Sequence, residues 1–329
     1  MSFVFKMFVA VVVLGGIFFL LEKNSASVTP VIAPTLSPTA TYSSGPSPES
    51  TDSPSPVSTP TPTPTPAPAI SITPTKIIQG EPILVQIKTA DLPEIKNISF
   101  DGKSLGIFSY KSEPSAFIGI DLAKKPGTYK LLATLADGEE LEKNITIGMR
   151  PKVEAPLGIP EKLGGNTEEA VTNVISTMAQ ESKTLLGIKT ASTALWTAPF
   201  RFPLAGKITV TDPYGYVRQT VGEAINHKGT DFHADEGTPV FAMNTGIVRI
   251  ARLYQIYGNT VVIDHGLGLM SIYMHLSKIN VNVGEKVNIG QTIALSGQTG
   301  YAESPHLHIT IRINDISIDP MKFMAFFAK

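Results

Sequence analysis

The chain has 329 residues, of which 42% are hydrophobic and 17% charged, and its formal net charge is −1. This near-neutral charge argues against the strongly basic surface that nucleic-acid binding requires, so we expect no nucleic-acid partner. The sequence has no cysteine, which excludes disulfides, thiolate metal sites, cysteine nucleophiles and lipid anchors on cysteine. Any bound metal must therefore be held by nitrogen and oxygen atoms.

An apolar run at the N-terminus predicts a membrane segment over residues 1–23. Residues Met7–Leu21 are uncharged and strongly apolar, and as a helix they would cover roughly 22 Å. A hydrocarbon core is thicker, about 30 Å, unless the residues before Lys6 join the helix. The run is either a signal anchor, which its length favours, or a signal peptide cleaved near Ser25–Ser27. Both alternatives place the rest of the protein on the extracytoplasmic face of the cell envelope, membrane-anchored or secreted.

Residues 24–69 are predicted to be a disordered linker. The sequence from Val28 to Ala69 is almost entirely proline, serine, threonine and alanine, including a Thr-Pro repeat at Thr59–Pro66. Such a composition cannot bury a core, and its prolines favour extended polyproline II conformation. At about 3.1 Å per residue the segment could reach on the order of 100 Å. We interpret it as a spacer that separates folded domains from a membrane; the alternative is a disordered tail without that role.

Short alternating segments between residues 70 and 149 predict a small immunoglobulin-like β-sandwich. Turn dipeptides such as Asp101-Gly102 and Asp137-Gly138 separate them. The predicted strands include Ile83–Ile87, Phe117–Ile120, Tyr129–Leu135 and Leu141–Ile147. The domain could bind the cell wall or a partner, but a structural spacer or steric cover is favoured, because strands and turns specify a fold and not a function.

Residues 150–197 are predicted to connect the two β-domains through one helix. Asn166 would cap this helix, with Glu169 completing a capping box. Apolar residues follow on one face at helical spacing, which we expect to pack on a neighbouring domain: Val171, Val174, Ile175 and Met178. A coiled-coil partner is less favoured, since the stretch spans fewer than three heptads.

Residues 198–329 predict a second all-β domain, and all six histidines lie there, between His227 and His308. His227 and Asp231 are four residues apart in a stretch that is not helical, so both can face one groove. His306 and His308 are two apart, which places them on one face of a strand, and His275 ends another strand. Imidazole and carboxylate are ligands suited to Zn²⁺.

An ordered series of motifs in this domain resembles the lysostaphin-type zinc metallopeptidases, peptidase family M23. The resemblance extends from about Phe200 to Pro320, and many matches in the family's order are a stronger signal than a lone His-x-His. The matching segments are His227–Phe232, Gly237–Val240, Gly258–Gly266, Tyr273–Ser277, Gly284–Val287, Gly290-Gln291, Pro305–His308 and Asp319-Pro320.

The resemblance implies a mainly β protein whose C-terminal domain is an antiparallel sheet with an open groove. It also implies one Zn²⁺ per chain, bound by His227, Asp231 and His308, with a fourth position left for water. His275 and His306 would be the catalytic pair that does not bind the metal. The implied substrate is the peptide part of bacterial peptidoglycan, and we expect a monomer. A glutamate base is not expected, because the sequence has no HExxH motif.

Two alternatives to a peptidoglycan hydrolase stay open. One is a non-hydrolytic envelope protein that binds wall peptides or regulates another hydrolase; the other is the same hydrolase acting on a protein. The sequence also departs from the family's usual pattern, with Ser304 in place of glycine and Tyr214–Arg218 one residue longer than Phe-Gly-x-Arg. His233 is expected near the metal or at the surface, and His265 at a strand end with local hydrogen bonds.

Overall fold

The structure is a computed structural model that describes residues 67–88, 94–156, 158–219 and 224–328. The predicted membrane segment and the predicted linker up to residue 66 lie outside these described residues. Within them, no helix is both long enough and apolar enough to cross a membrane.

The N-terminal β-domain consists of two sheets that share one core. Their strand orders are β1-β3-β7-β6 and β2-β9-β8-β4-β5, and all pairs are antiparallel except β2 with β9. The strands are β1 (Ala69–Thr73), β2 (Ile77–Ile78), β3 (Pro82–Lys88), β4 (Ile95–Phe100), β5 (Lys103–Ser104), β6 (Ile107–Tyr110), β7 (Glu113–Gly119), β8 (Gly127–Leu135) and β9 (Glu140–Gly148).

Alternating apolar side chains build this core. Val85 and Ile118 from one sheet pack with Ile98, Leu131 and Ile145 from the other, and all five are buried. The predicted two-sheet sandwich is thus present, because period-two alternation directs every second side chain inward. Its classification as immunoglobulin-like stays a prediction.

The connector contains β10 (Glu154–Pro156), a 3-10 turn at Glu161–Leu163 and helix α1 (Glu168–Thr184). The predicted helix cap at Asn166 is wrong by one residue: Thr167 is the cap, and its Oγ1 accepts a hydrogen bond from the Ala170 N–H at 3.2 Å. The Asn166 side chain instead accepts the Ile159 N–H at 2.7 Å, which fixes the preceding loop. Val174 packs against Ile256 of the C-terminal domain, as the helical periodicity predicted.

The C-terminal domain is dominated by an eight-stranded sheet of order β11-β14-β22-β18-β17-β16-β20, with β23 paired to β22. A smaller sheet has the order β15-β21-β19, and β12 pairs with β13 and with connector strand β10. The strands are β11 (Val210–Asp212), β12 (Val217–Gln219), β13 (Ala224–Asn226), β14 (Thr230–His233), β15 (Pro239–Phe241), β16 (Gly246–Tyr254), β17 (Gly258–Gly266), β18 (Leu269–Leu276), β19 (Lys278–Ile279), β20 (Lys286–Val287), β21 (Thr292–Leu295), β22 (His306–Ile313) and β23 (Ile316–Ile318), followed by the short helix α2 (Pro320–Met324).

Aromatic side chains join the two β-domains. Phe108 and Phe117 of the sandwich pack with Trp196, Phe200 and Phe323, with ring centroids 5.0 Å apart for Phe108 and Trp196 and 5.5 Å apart for Phe117 and Phe323. The sandwich therefore contributes to the core of the C-terminal domain. A hydrophobic interface of this kind holds two domains in one orientation.

A buried glutamate attaches helix α1 to the C-terminal domain. Glu181 is 8% exposed, and its carboxylate accepts the backbone N–H groups of Gln255, Ile256 and Tyr257 at 2.6–3.1 Å. The Tyr257 carbonyl in turn accepts the His275 N–H at 3.0 Å. One side chain of the connector thus fixes the turn that supports a candidate catalytic histidine.

His265 belongs to a buried hydrogen-bond network in the large sheet. Its Nδ1 lies 2.9 Å from the Thr245 carbonyl oxygen and its Nε2 2.8 Å from Ser271 Oγ, which is 3.0 Å from the Tyr273 hydroxyl. The Met243 N–H donates to that hydroxyl at 2.9 Å. A neutral imidazole with its proton on Nδ1 satisfies this network, because the carbonyl can only accept. Burial lowers the pKa of His265 to about 4.

We expect Glu181→Gln to lower the free energy of unfolding by about 2–4 kcal/mol, because the neutral amide cannot accept three backbone N–H groups equally well. Urea denaturation followed by circular dichroism measures the change. Glu169→Gln, an exposed position on the same helix, is the matched control and should leave the midpoint unchanged. Equal midpoints for the two variants would contradict this role.

His265 should make the protein less stable in acid. The unfolded chain binds a proton at a pKa near 6.5, whereas folded His265 resists protonation down to about pH 4. Stability from this residue is therefore complete above pH 6.5 and is lost as the pH falls toward 4, by about 3 kcal/mol in total. Urea unfolding at several pH values should give a shallower pH dependence for His265→Asn than for the wild type. Exposed His233→Asn should retain the wild-type dependence, and parallel curves for all three proteins would refute this account.

Candidate metal centre

Strand pairing brings three donor atoms together. Asp231 on β14 is directly opposite His308 on β22, and His227 directly follows β13. Asp231 Oδ1 lies 2.7 Å from His308 Nδ1 and 3.3 Å from His227 Nε2, and the two nitrogens are 3.1 Å apart. Around a tetrahedral Zn²⁺ with bonds of 2.0–2.1 Å, donor atoms lie about 3.3 Å from each other. The triangle therefore fits one zinc ion with little movement, and within the described residues it is the cluster able to hold a metal.

Each imidazole of the triangle is oriented by its other nitrogen. His227 Nδ1 lies 3.1 Å from the Pro213 carbonyl oxygen, and His308 Nε2 lies 2.9 Å from Thr310 Oγ1. The Thr310 hydroxyl donates to the Lys228 carbonyl at 3.2 Å, so it accepts from His308. With a metal bound, both outer nitrogens would carry the ring proton and both inner nitrogens would present a lone pair; without one, the inner nitrogens are placed to donate to Asp231 Oδ1. This arrangement is typical of metal-binding histidines.

Asp231 is a buried charge. Burial raises its pKa, but hydrogen bonds from His227 and His308 outweigh that effect and hold the pKa well below the usual range. Burial also lowers the pKa of His308, against the opposing influence of Asp231. For His227, the hydrogen bond and charge of Asp231 outweigh burial and raise the pKa. A carboxylate that stays ionised at 6% exposure requires a positive partner, which a bound cation supplies.

His275 and His306 stand beside the triangle. Their ring centroids are 4.9 Å apart, and the His275 ring is 5.9 Å from that of His308. His275 Nδ1 donates to the Thr299 carbonyl at 2.9 Å, and His306 Nδ1 donates to the Ser304 carbonyl at 2.8 Å. Each ring thus holds a proton on Nδ1, and the Nε2 of His306 lies 3.8 Å from Asp231 Oδ1. Burial, reinforced by His306 and His308, lowers the pKa of His275 to about 3, so this ring is neutral at pH 7.

Two glycines allow these histidines to be placed so closely. A Cβ atom on Gly229 would collide with the His308 ring, and one on Gly258 would collide with the Thr299 backbone, whose carbonyl holds His275. Gly258 also has φ +64°, a conformation that favours glycine. His275 itself has φ +61°, which costs a non-glycine residue on the order of 1–3 kcal/mol. Its backbone and ring hydrogen bonds stabilise that conformation.

The structure adds groups that the sequence did not identify as part of the site. The Arg218 guanidinium forms an ion pair with Asp212, and its Nη2 lies 3.7 Å from Asp231 Oδ2. In the sequence, Arg218 is distinguished only as the last residue of the altered motif Tyr214–Arg218. The carbonyls of Pro213, Thr299 and Ser304 could not be found from sequence, because a backbone acceptor has no side-chain signature.

The two other histidines lie outside the triangle. His233 is exposed and is paired in register with His306 on the neighbouring strand. His265 is fully buried, and both of its nitrogens have partners in the separate network of Thr245 and Ser271.

Comparison with known proteins identifies this domain. Residues 225–320 match the model of peptidase family M23. The chain is 46% identical over 96 residues to the peptidoglycan DD-endopeptidase ShyA of Vibrio cholerae. This match covers 29% of this chain and 22% of that protein. It is 42% identical over 120 residues to lysostaphin of Staphylococcus simulans, covering 34% of this chain and 24% of that protein. The chain thus spans about a quarter of the length of these relatives.

One solved structure resembles more of the chain than this domain alone. The crystal structure of a candidate peptidase M23 from Pseudomonas aeruginosa has a TM-score of 0.50 and 26% identity, and the match covers 76% of this chain and 95% of that one. That share exceeds residues 198–329, so the likeness includes part of the N-terminal half. Residues 225–320 of the present chain therefore match peptidase family M23, and the donor triangle lies within them.

Proposed function

We propose that this protein is a zinc endopeptidase that hydrolyses peptide bonds in the cross-links or stem peptides of bacterial peptidoglycan. The observation that carries the proposal is the donor triangle with two further imidazoles beside it, in a domain that matches peptidase family M23. The relatives named peptidoglycan DD-endopeptidase and lysostaphin support a cell-wall substrate.

In this proposal His227 Nε2, Asp231 Oδ1 and His308 Nδ1 hold one Zn²⁺. The metal supplies Lewis acidity, which lowers the pKa of bound water toward 7 and polarises the scissile carbonyl. The protein residues keep the donors in one protonation state: the Pro213 carbonyl and Thr310 hydroxyl fix the two ring tautomers, and the low pKa of Asp231 keeps its carboxylate charged.

His275 and His306 are assigned to proton transfer. Each ring holds its proton on Nδ1 through a backbone carbonyl, so its Nε2 is free to accept a proton from the attacking water. A ring protonated in this way can then donate to the oxyanion or to the leaving amine. The low pKa of His275 makes it the weaker base of the two, and the division of the two roles between the rings stays open.

The remaining segments are proposed to export and position the domain. We infer that Met7–Leu21 anchors the chain in the membrane and that the proline-rich linker separates the anchor from the folded domains. The immunoglobulin-like sandwich is assigned a structural role, because its aromatic side chains are part of the core of the peptidase domain. The chain acts as a monomer on the extracytoplasmic face of the envelope.

Purified protein should release new amino groups from peptidoglycan, and a chelator should abolish the release until Zn²⁺ is restored. Amine labelling and mass spectrometry of the soluble fragments measure this and identify the cleaved bond. Cleavage of unrelated unfolded proteins at the same rate would favour a protein substrate. Binding to peptidoglycan without any amine release would support the non-hydrolytic alternative.

The five site residues should divide into two classes by metal content. His308→Ala should lose bound zinc and activity together, because one donor is removed. His275→Ala and His306→Ala should keep one zinc per chain while kcat falls by about 10²–10⁴-fold. Zinc content by elemental analysis and kcat on a peptidoglycan fragment distinguish the classes. The matched control is His233→Ala, an exposed histidine beside His306, which should change neither quantity; full zinc loss in His275→Ala would contradict the assignment.

The anchor predicts a membrane-bound full-length chain. After expression in a bacterium, the protein should sediment with membranes, resist alkaline extraction and retain residues 1–23 by intact mass. A soluble protein whose sequence begins near Ser25–Ser27 would instead show that the segment is a cleaved signal peptide.

A further inference from the structure

Arg218 connects two carboxylates beside the donor triangle. On β12, its guanidinium contacts Asp212 and lies 3.7 Å from Oδ2 of Asp231. The opposite oxygen of that carboxylate, Oδ1, is the one that faces the ring nitrogens of His227 and His308. The two oxygens of Asp231 thus have different partners: one faces the donor triangle, and the other faces a fixed positive charge.

We infer that Arg218 is a positioning residue that makes Asp231 a one-oxygen ligand. By attracting Oδ2, the guanidinium prevents the carboxylate from rotating to present both oxygens to the metal. A second carboxylate oxygen would occupy the position that the proposed reaction needs for water, since a catalytic zinc site keeps an open coordination position. The inference deepens the proposed function and rests on it.

The connector holds Arg218 in this place. Strand β10 runs parallel to β12, with Ala155 in register with Arg218, and the Gln219 side chain donates to Glu154 at 3.1 Å. On the other side, burial raises the pKa of the Tyr301 phenol and the charge of Arg218 lowers it by a smaller amount, and that phenol donates to the Gly158 carbonyl. Residues on both sides of position 157 therefore support the arginine, so the metal centre depends on a segment that precedes residues 225–320.

Lysine could not replace this arginine fully. Arg218 reaches Asp212 and Asp231 with one planar group that carries several N–H donors, whereas an ammonium is a compact point charge. The Asp212 carboxylate lies 3.9 Å from His227 Nδ1, and removal of the guanidinium would leave that carboxylate without its positive partner. The Asp212 carboxylate would then compete with the Pro213 carbonyl for the proton that fixes the His227 tautomer.

The test uses the full chain and measures the metal site directly. Arg218→Met, Arg218→Lys and wild type are titrated with Zn²⁺ against a chromogenic chelator, and the Co²⁺-loaded proteins are compared by visible absorption, which reports coordination number. Arg218→Met should bind Zn²⁺ about 10–100-fold more weakly, and its Co²⁺ spectrum should shift from a four-coordinate to a five-coordinate form. The Zn²⁺ affinity and the Co²⁺ spectrum of Arg218→Lys should lie between those of the wild type and Arg218→Met.

Arg252→Met is the matched control, because Arg252 is an exposed arginine of the same sheet that stacks on Tyr254 away from the site; it should behave as wild type. If Arg218→Met does not fold by circular dichroism, Arg218→Lys and Tyr301→Phe carry the same test with smaller expected changes. Wild-type affinity and an unchanged Co²⁺ spectrum in folded Arg218 variants would overturn the inference and leave the proposed function intact. Failure of the wild type itself to bind Zn²⁺ would overturn both.

Discussion

The pairing of β14 with β22 is the interaction on which the site depends. It sets Asp231 directly opposite His308 and buries a carboxylate between two imidazoles. Arg218 and the two imidazoles stabilise that buried charge, and a bound cation would stabilise it further. Register matters because side chains alternate between the faces of a sheet. A slip of one residue would turn both His306 and His308 away from the groove.

Around this pair, the protein uses backbone oxygens to set the chemistry of each ring. Three of the four site histidines donate Nδ1 to a carbonyl, and the fourth, His308, donates Nε2 to Thr310. Every ring then has its free lone pair on the opposite nitrogen. The proposed ligands and the proposed proton-transfer histidines are therefore distinguished by their positions relative to Asp231. Loops that carry these carbonyls have to approach closely, which is why glycine is required at 229 and 258.

The connector and the sandwich pack against the large sheet that carries the candidate site. Glu181 fixes the turn at residues 255–257, β10 supports the strand of Arg218, and Phe108 and Phe117 enter the aromatic cluster beneath the sheet. Segments that read as separate modules along the chain are therefore continuous in space. These contacts hold the N-terminal β-domain in a fixed position relative to the candidate site. The domain is therefore not a freely moving spacer.

The sequence by itself predicted the β-character of both domains and the helix of the connector, and its resemblance to a known family implied the five residues of the candidate site. These follow from local causes: period-two alternation, helical periodicity and a rare side chain such as histidine concentrated in recognisable motifs. Only the tertiary structure decided which nitrogen of each ring faces inward, that Thr167 and not Asn166 caps the helix, and that Arg218 and Glu181 support the site. Those contacts join residues that are distant in the chain or involve backbone carbonyls. They depend on strand register and close packing, which local sequence patterns do not specify.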